Sequence, residues 1–262
     1  MTRWDPVRYL QFADERSRPF FELTGRIHAK APARVVDLGC GPGHLTAALA
    51  ERWPTARVEG VDSSPDMVDA ARDHQTERLK FSVADLRQWR PTERLDVIVS
   101  NATLQWVPGH RQLLPDLVAA LAPGGTLAFQ VPGNFSEPSH VILRDLAAAS
   151  RFADATRTVE QPAAYDASTY FADLSGLGCQ TDAWETTYLH VLTGPDPVFR
   201  WIAGTGARPV LQALSDGERA DFVPEYQRLL RDAYPAREFG TVLPFRRVFV
   251  VARSPISTGE RP

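Results

Sequence analysis

Three aspartates at regular intervals and a glycine-rich loop are the residues of this chain with the clearest chemistry. Asp37, Asp62 and Asp85 each fall at the end of a short β-branched run, in "RVVDLG" (34–39), "RVEGVD" (57–62) and "LKFSVAD" (79–85). Gly39, Gly41 and Gly43 follow the first of them in "VVDLGCGPG". Glycines there remove side chains where a ligand approaches and permit unusual backbone angles, and the start of the next helix offers free N–H groups. A dinucleotide fingerprint reads G-x-G-x-x-G and a P-loop ends in lysine. This loop reads G-x-G-x-G with no lysine after it. Asp37 would repel a pyrophosphate and suits a cationic or amino-bearing ligand. Asp62 stands 23 residues beyond Gly39, near the interval at which an acid accepts both hydroxyls of a ribose. Asp85 is placed to accept from an exocyclic adenine amine. Any one of these acids alone is equally a turn residue; three at successive strand ends describe a ligand crevice in an open α/β sheet.

Short strands alternating with helices must carry those acids. From Arg34 to Pro132 the alternation is that of βα units and a parallel sheet, with "LDVIVSN" (95–101) and "GTLAFQV" (125–131) as further strands. "SSPDMVDAARDH" has Ser64 as N-cap and Pro65 at the first helical position, and "HRQLLPDLVAALAPGG" is expected to end its helix at Gly124 and Gly125. Beyond Pro132 a helix is expected at 139–151, then an irregular segment to 165, a helix in "ASTYFADLSGLG" and a long strand in "CQTDAWETTYLHVL". Residues 195–235 read as short helices broken by Pro195, Pro197, Pro209, Pro224 and Pro235, and "VLPFRRVFVVAR" (242–253) ends the sheet.

The expected organisation is therefore an N-terminal arm or flap (1–33), a cofactor-binding βα core (34–132), a lid insertion (133–165), a core helix and strand (166–192), a second helical lid insertion (193–241), a terminal core strand (242–253) and a flexible tail (254–262). The fold class is α/β: seven strands, mostly parallel, helices on both faces and an inserted helical lid.

Composition narrows the partners. The apolar share of 44% suffices for a sizeable core, and a net charge of −3 offers no basic excess for a nucleic-acid backbone. Two cysteines, Cys40 and Cys179, give neither a disulfide framework nor a zinc spacing, so no metal is expected. No apolar stretch is long enough to cross a bilayer and the first residues are unlike a signal peptide. The expectation is a cytoplasmic protein acting on a small molecule, with no nucleic-acid or membrane partner and its oligomeric state open.

With "VVDLGCGPG", "GVDSSPDM", "VADLRQW", "LDVIVSNATLQWV" and "LAPGGTLAFQ" together, the chain resembles the class I, Rossmann-like S-adenosylmethionine-dependent methyltransferases over Arg34–Val131. The resemblance implies S-adenosylmethionine as methyl donor, with its amino-acid portion over Gly39, Gly41 and Gly43. It implies the ribose at Asp62 and Ser63, the adenine near Met67, Asp85 and Leu86, and Asn101 at the site. A narrower resemblance, carried by "WDPVRYLQFADERSRPF", "SNATLQWVPGH", "VPGNFSEPSHVILRDLA", "WETTYLHVLTG" and "LPFRRVFVVA", runs nearly end to end toward members that methylate trans-aconitate. It implies a small polycarboxylate as acceptor.

A carboxylate acceptor is ionised at neutral pH and needs no general base; it needs positioning and exclusion of water. Arginine forks suit it, and all but Lys30 and Lys80 of the 29 basic residues are arginines. Arg247, Arg246, Arg208 and Arg16 are the candidates outside the shared cofactor fold. Tyr9 would close a flap over the cofactor, with Arg16 beside it, and Trp106 would roof cofactor or substrate; both aromatics are equally readable as core residues. His140 and Tyr188 are candidate donors to the acid, His140 alternatively a helix-surface residue. Phe135 and Trp201 would form apolar walls, and His190 shares the strand face of Tyr188. Methylation of another small acid, a non-catalytic S-adenosylmethionine-binding protein and a nucleotide-dependent oxidoreductase are the competing functions.

Overall fold

The computed structural model describes residues 13–256, with side chains from residue 17 onward. Its strands are β1 (Arg34–Leu38), β2 (Arg57–Asp62), β3 (Leu79–Val83), β4 (Leu95–Asn101), β5 (Leu121–Pro132), β6 (Gln180–Leu192) and β7 (Thr241–Arg253). Its helices are α1 (Ala13–Gly25), α2 (His44–Arg52), α3 (Pro65–Ala71), α4 (Leu114–Ala119), α5 (Pro138–Ala147), α6 (Ser150–Thr156), α7 (Ala167–Gly176), α8 (Pro197–Ala203), α9 (Arg208–Ala213) and α10 (Asp216–Ala233). No helix among the described residues is long and apolar enough to cross a membrane.

The seven strands lie in one sheet in the order β3-β2-β1-β4-β5-β7-β6. β1 pairs in parallel with β2 on one side and β4 on the other, β2 with β3 and β4 with β5; β7 runs antiparallel to β5. The strand order reverses between β1 and β4, and ligands of open α/β sheets bind outside the strand ends at such a switch. The glycine loop leaves β1 there.

Contacts divide the described chain into two compact units, one of residues 13–132, 164–186 and 247–256, the other of residues 133–163 and 187–246. In the first, the central strands are apolar on both faces, as a covered parallel sheet requires. Val36, Leu38, Ile98, Leu127 and Phe129 meet Leu114, Leu117, Tyr170 and Leu174 of α4 and α7. Phe20 and Leu23 of α1 are buried where α1 packs on β4 and β5. Glu22 fixes α1 further by accepting from Trp184 Nε1 (3.1 Å) and Thr186 Oγ1 (2.7 Å).

In the second unit α10 supplies the core. Phe222, Tyr226 and Leu230 repeat every four residues on its buried face, Tyr226 Oη donates to Ser139 O at 2.7 Å, and Ser215 with Glu218 forms a capping box at its start. That support explains one departure from expectation: Pro224 lies inside α10 without ending it.

Two other boundaries differ. The expected helix at 139–151 is two helices, α5 and α6, parted at Ala148 and Ala149. Gly124 and Gly125 do not end a helix, because α4 stops at Ala119 and β5 begins before them. Gly125 is needed for close approach instead: a Cβ there would stand 2.9 Å from Leu95 O and from Ala122 O. Ser64 does stand at the N-cap of α3, but its side chain makes no capping hydrogen bond.

Candidate functional site

Backbone geometry gives the three loop glycines different tasks. Gly39 N and Cys40 N both donate to Val61 O (2.6 and 3.0 Å), stitching the loop to β2. All three glycines have positive φ. A Cβ on Gly39 would fall 2.0 Å from Thr103 Oγ1, and one on Gly43 would fall 2.7 Å from Ala71 Cβ; one on Gly41 would meet nothing within 4 Å. The expectation that all three clear room for a ligand is therefore corrected. Gly39 and Gly43 make room for protein atoms, and Gly41 faces open space.

The first two acids brace this loop. Asp37 is 2% exposed and accepts from Thr46 Oγ1 of α2 at 2.7 Å; burial pushes its carboxyl up to about 7. Asp62 Oδ2 accepts from Gly41 N (3.0 Å) and Oδ1 from Ser64 N (2.9 Å). Burial raises its pKa, and these backbone donors oppose the rise. Ser63 N–H also donates to this carboxylate, so of its four acceptor positions one is left for a ligand hydroxyl. The thiol of Cys40 is buried and pushed up by burial and by Asp37, so it remains protonated.

Asp85 lies beyond β3 in the forked grip of Arg87, whose Nε is 3.0 Å from both oxygens, and this hydrogen bonding lowers its pKa. Of the other expected cofactor residues, Met67 is buried, Leu86 half-buried and Ser63 exposed. Tyr9 lies outside the described residues, as does the side chain of Arg16.

Beyond β4 the backbone turns sharply. Ala102 takes φ +54°, in the left-handed region that costs a residue with a Cβ about 1–2 kcal/mol. The turn is held by Ala102 N donating to Gln130 O (2.8 Å) and Gln105 Nε2 donating to Ala102 O (2.6 Å). It places Thr103 against Gly39 and puts Trp106, half-buried, on a short 3-10 turn. Asn101, buried, has an Oδ1 with no hydrogen-bond partner.

Arg247 of β7 is 5% exposed, and its Nη1 donates to Gln130 Oε1 at 3.3 Å. It pairs in register with Pro132, the last residue of β5. The first unit thus brings together Asp37, Gly39, Gly41, Gly43, Asp62, Asn101 and Arg247 at one edge of its sheet. Sequence reasoning missed Thr46, Thr103 and Gln130. Gln130 left one signal, a lone amide within the apolar run "LAFQV".

Arg246, Arg208, His140, Tyr188, His190, Trp201 and Phe135 belong to the second unit. His140 is buried, not a helix-surface residue. Its Nδ1 meets Ser139 Oγ at 3.2 Å and its ring stands edge-on to Phe135. Burial pushes it down to about 4, which keeps the imidazole neutral at pH 7. Tyr188 and His190 are buried with ring centroids 6.1 Å apart, and His190 lies 4.6 Å from Trp201. Arg246 and Arg208 are half-buried.

A groove of about 660 Å³ opens at the other edge of the sheet, beside Arg26, Lys30, Asp96 and Arg253. Three of these charges are committed to the fold: Asp96 accepts from Ala33 N and Arg34 N, Arg26 pairs with Asp182, and Arg253 donates to Gly124 O.

Comparison with known proteins gives three findings. Residues 35–125 match the methyltransferase domain family. The trans-aconitate 2-methyltransferase of Streptomyces avermitilis is 53% identical over 95% of this chain and 96% of its own, and that of Mycobacterium tuberculosis 49% over 95% and 96%. Among solved structures, phosphoethanolamine N-methyltransferase 2 of Haemonchus contortus in complex with S-adenosyl-L-methionine superposes with a TM-score of 0.59 at 17% identity, over 95% of this chain and 56% of that one. The [4+2]-cyclase SpnF superposes with 0.57 at 14%, over 92% and 82%. At such identities the structures speak to the fold alone, and SpnF shows that this fold also carries other chemistry.

Proposed function

The chain belongs to the trans-aconitate 2-methyltransferases, and from that premise we propose that it methylates one carboxylate of trans-aconitate at the expense of S-adenosylmethionine. When bound, S-adenosylmethionine supplies a sulfonium methyl group that passes to a carboxylate oxygen, leaving S-adenosylhomocysteine and a monomethyl ester. The residues fit such a donor: open space beside Gly41, a spare acceptor position on Asp62 and an unfilled acceptor on Asn101. In this reading Gly41 admits the amino-acid portion, Asp37 complements its ammonium, Asp62 and Ser63 hold the ribose, and Met67, Asp85 and Leu86 border the adenine. Trp106 covers the site.

The acid needs no proton removed, since a carboxylate is already ionised at neutral pH. The protein's contribution is to orient it and to exclude water. The observation that carries this part is Arg247: a buried guanidinium presents a rigid donor fork that matches a carboxylate and stays charged in a dry site. Arg246, Arg208, His140 and Tyr188 are retained as positioning candidates.

Labelled S-adenosylmethionine and a panel of di- and tricarboxylates test the reading. A base-labile ester should form from trans-aconitate. Much faster turnover of a different acid would sink the acceptor assignment, and binding of NAD without S-adenosylhomocysteine would sink the donor.

A further inference from the structure

The amide of Gln130 is a polar group with half of its bonding unaccounted for. It is 0% exposed, near the end of an otherwise apolar stretch of β5. Its Oε1 accepts from Arg247 Nη1 at 3.3 Å, while its Nε2 has no hydrogen-bond partner. The assignment of the two amide atoms is dictated by chemistry, because a guanidinium only donates and must therefore face the oxygen. Buried polar atoms are rarely left unmade, since each such loss destabilises the fold.

Register places this donor among the right neighbours. Gln130 pairs with Asn101 across β4 and β5, and Arg247 pairs with Pro132, two residues further along β5. Side chains at paired positions and two residues apart emerge on one face. Asn101, Gln130 and Arg247 thus share one face at the strand ends. The two unfilled atoms differ in sign: Asn101 Oδ1 accepts and Gln130 Nε2 donates. An ammonium satisfies the first, and a carboxylate the second.

We propose that Gln130 is a specificity-determining residue whose amide N–H, together with the Arg247 guanidinium, holds a carboxylate of the acid that is not the one methylated. This rests on the reading of the chain as a carboxyl methyltransferase. The held group is the spectator because charged hydrogen bonds tie up the lone pairs that an attacking carboxylate must offer, so holding the reacting group would stabilise the ground state. Arg247 fixes the amide through Oε1 and contributes charge to the same anion. The consequence is preference for polycarboxylates over monocarboxylic acids.

Gln130→Met removes the amide at similar volume, and Gln130→Glu sets a negative charge in its place. We expect KM for trans-aconitate to rise about tenfold in the first, the loss of one hydrogen bond to a charged group, and more in the second. The Kd of S-adenosylhomocysteine by calorimetry should stay within about twofold, and KM for an unsaturated monocarboxylic acid should not move. Unchanged KM for trans-aconitate in Gln130→Met, with a lowered Tm, would assign the amide to a structural bond with Asn101 and overturn the proposal. An equal rise of KM for both acids would overturn it as well. A wild-type protein that binds S-adenosylhomocysteine yet takes up no acid overturns the functional reading along with it. Normal wild-type turnover with both variants unaffected overturns the role of Gln130 alone.

Discussion

Burial gives Asp37 a titration in the physiological range. Its carboxyl is raised from 3.8 to about 7, so the unfolded chain gives up this proton first as pH rises. The stability it contributes is therefore full below the unfolded value and is lost as pH climbs through about 7, by about 1.4 kcal/mol per pH unit. An ammonium beside it favours the carboxylate and reverses that preference. S-adenosylhomocysteine should accordingly bind about tenfold more tightly per pH unit between about pH 5 and 7 and level off above. In Asp37→Asn, calorimetry should show a flat profile and the ligand-free protein a higher Tm at pH 8; a flat profile in the wild type would leave Asp37 only its bond to Thr46. Asp62→Ala should weaken the same ligand about tenfold to a hundredfold, the loss of charged hydrogen bonds of about 1.5–3 kcal/mol. The three acids were legible in the sequence because a strand-end position can be read from local pattern. Gln130 was not, because one amide in an apolar run does not disclose which strand stands beside it.

At the scale of elements, the glycine loop separates packing from ligand access. Gly39→Ala forces a Cβ onto Thr103 and should lower stability by about 2–4 kcal/mol, from overpacking together with a left-handed φ. Gly41→Ala carries only the second cost, about 1–2 kcal/mol, yet fills the open space, so S-adenosylhomocysteine affinity should fall although the protein remains folded. Thermal unfolding and calorimetry on the two variants check this; equal effects on ligand and fold at both positions would reject the division. In the second unit, Ser215→Ala removes the cap of α10 and should cost about 1 kcal/mol, read in the denaturation midpoint. Local rules located these elements but misjudged their limits. Pro224 reads as a break and Gly124–Gly125 as a helix end, whereas a capped helix with a buried stripe runs through the first and β5 passes through the second.

For the whole molecule, ligand binding should act on stability by mass action. S-adenosylhomocysteine at a hundred times its Kd adds about 2.7 kcal/mol, which in a chain of this length corresponds to a rise in Tm of about 5–10 °C; NAD at equal concentration should leave Tm unchanged. A shift with NAD alone would contradict the donor assignment. What the sequence by itself determined is the α/β class, the strand ends that carry Asp37, Asp62 and Asp85, and the methyl donor, because these depend on short-range pattern and on motifs of fixed spacing. Only the tertiary structure decided which glycine faces open space, that Thr103 meets Gly39, and that Gln130 and Arg247 meet. Those facts depend on residues distant in the chain coming together, 117 positions apart for Gln130 and Arg247, and such meetings are settled by the packing of the whole sheet, not by any local run of residues.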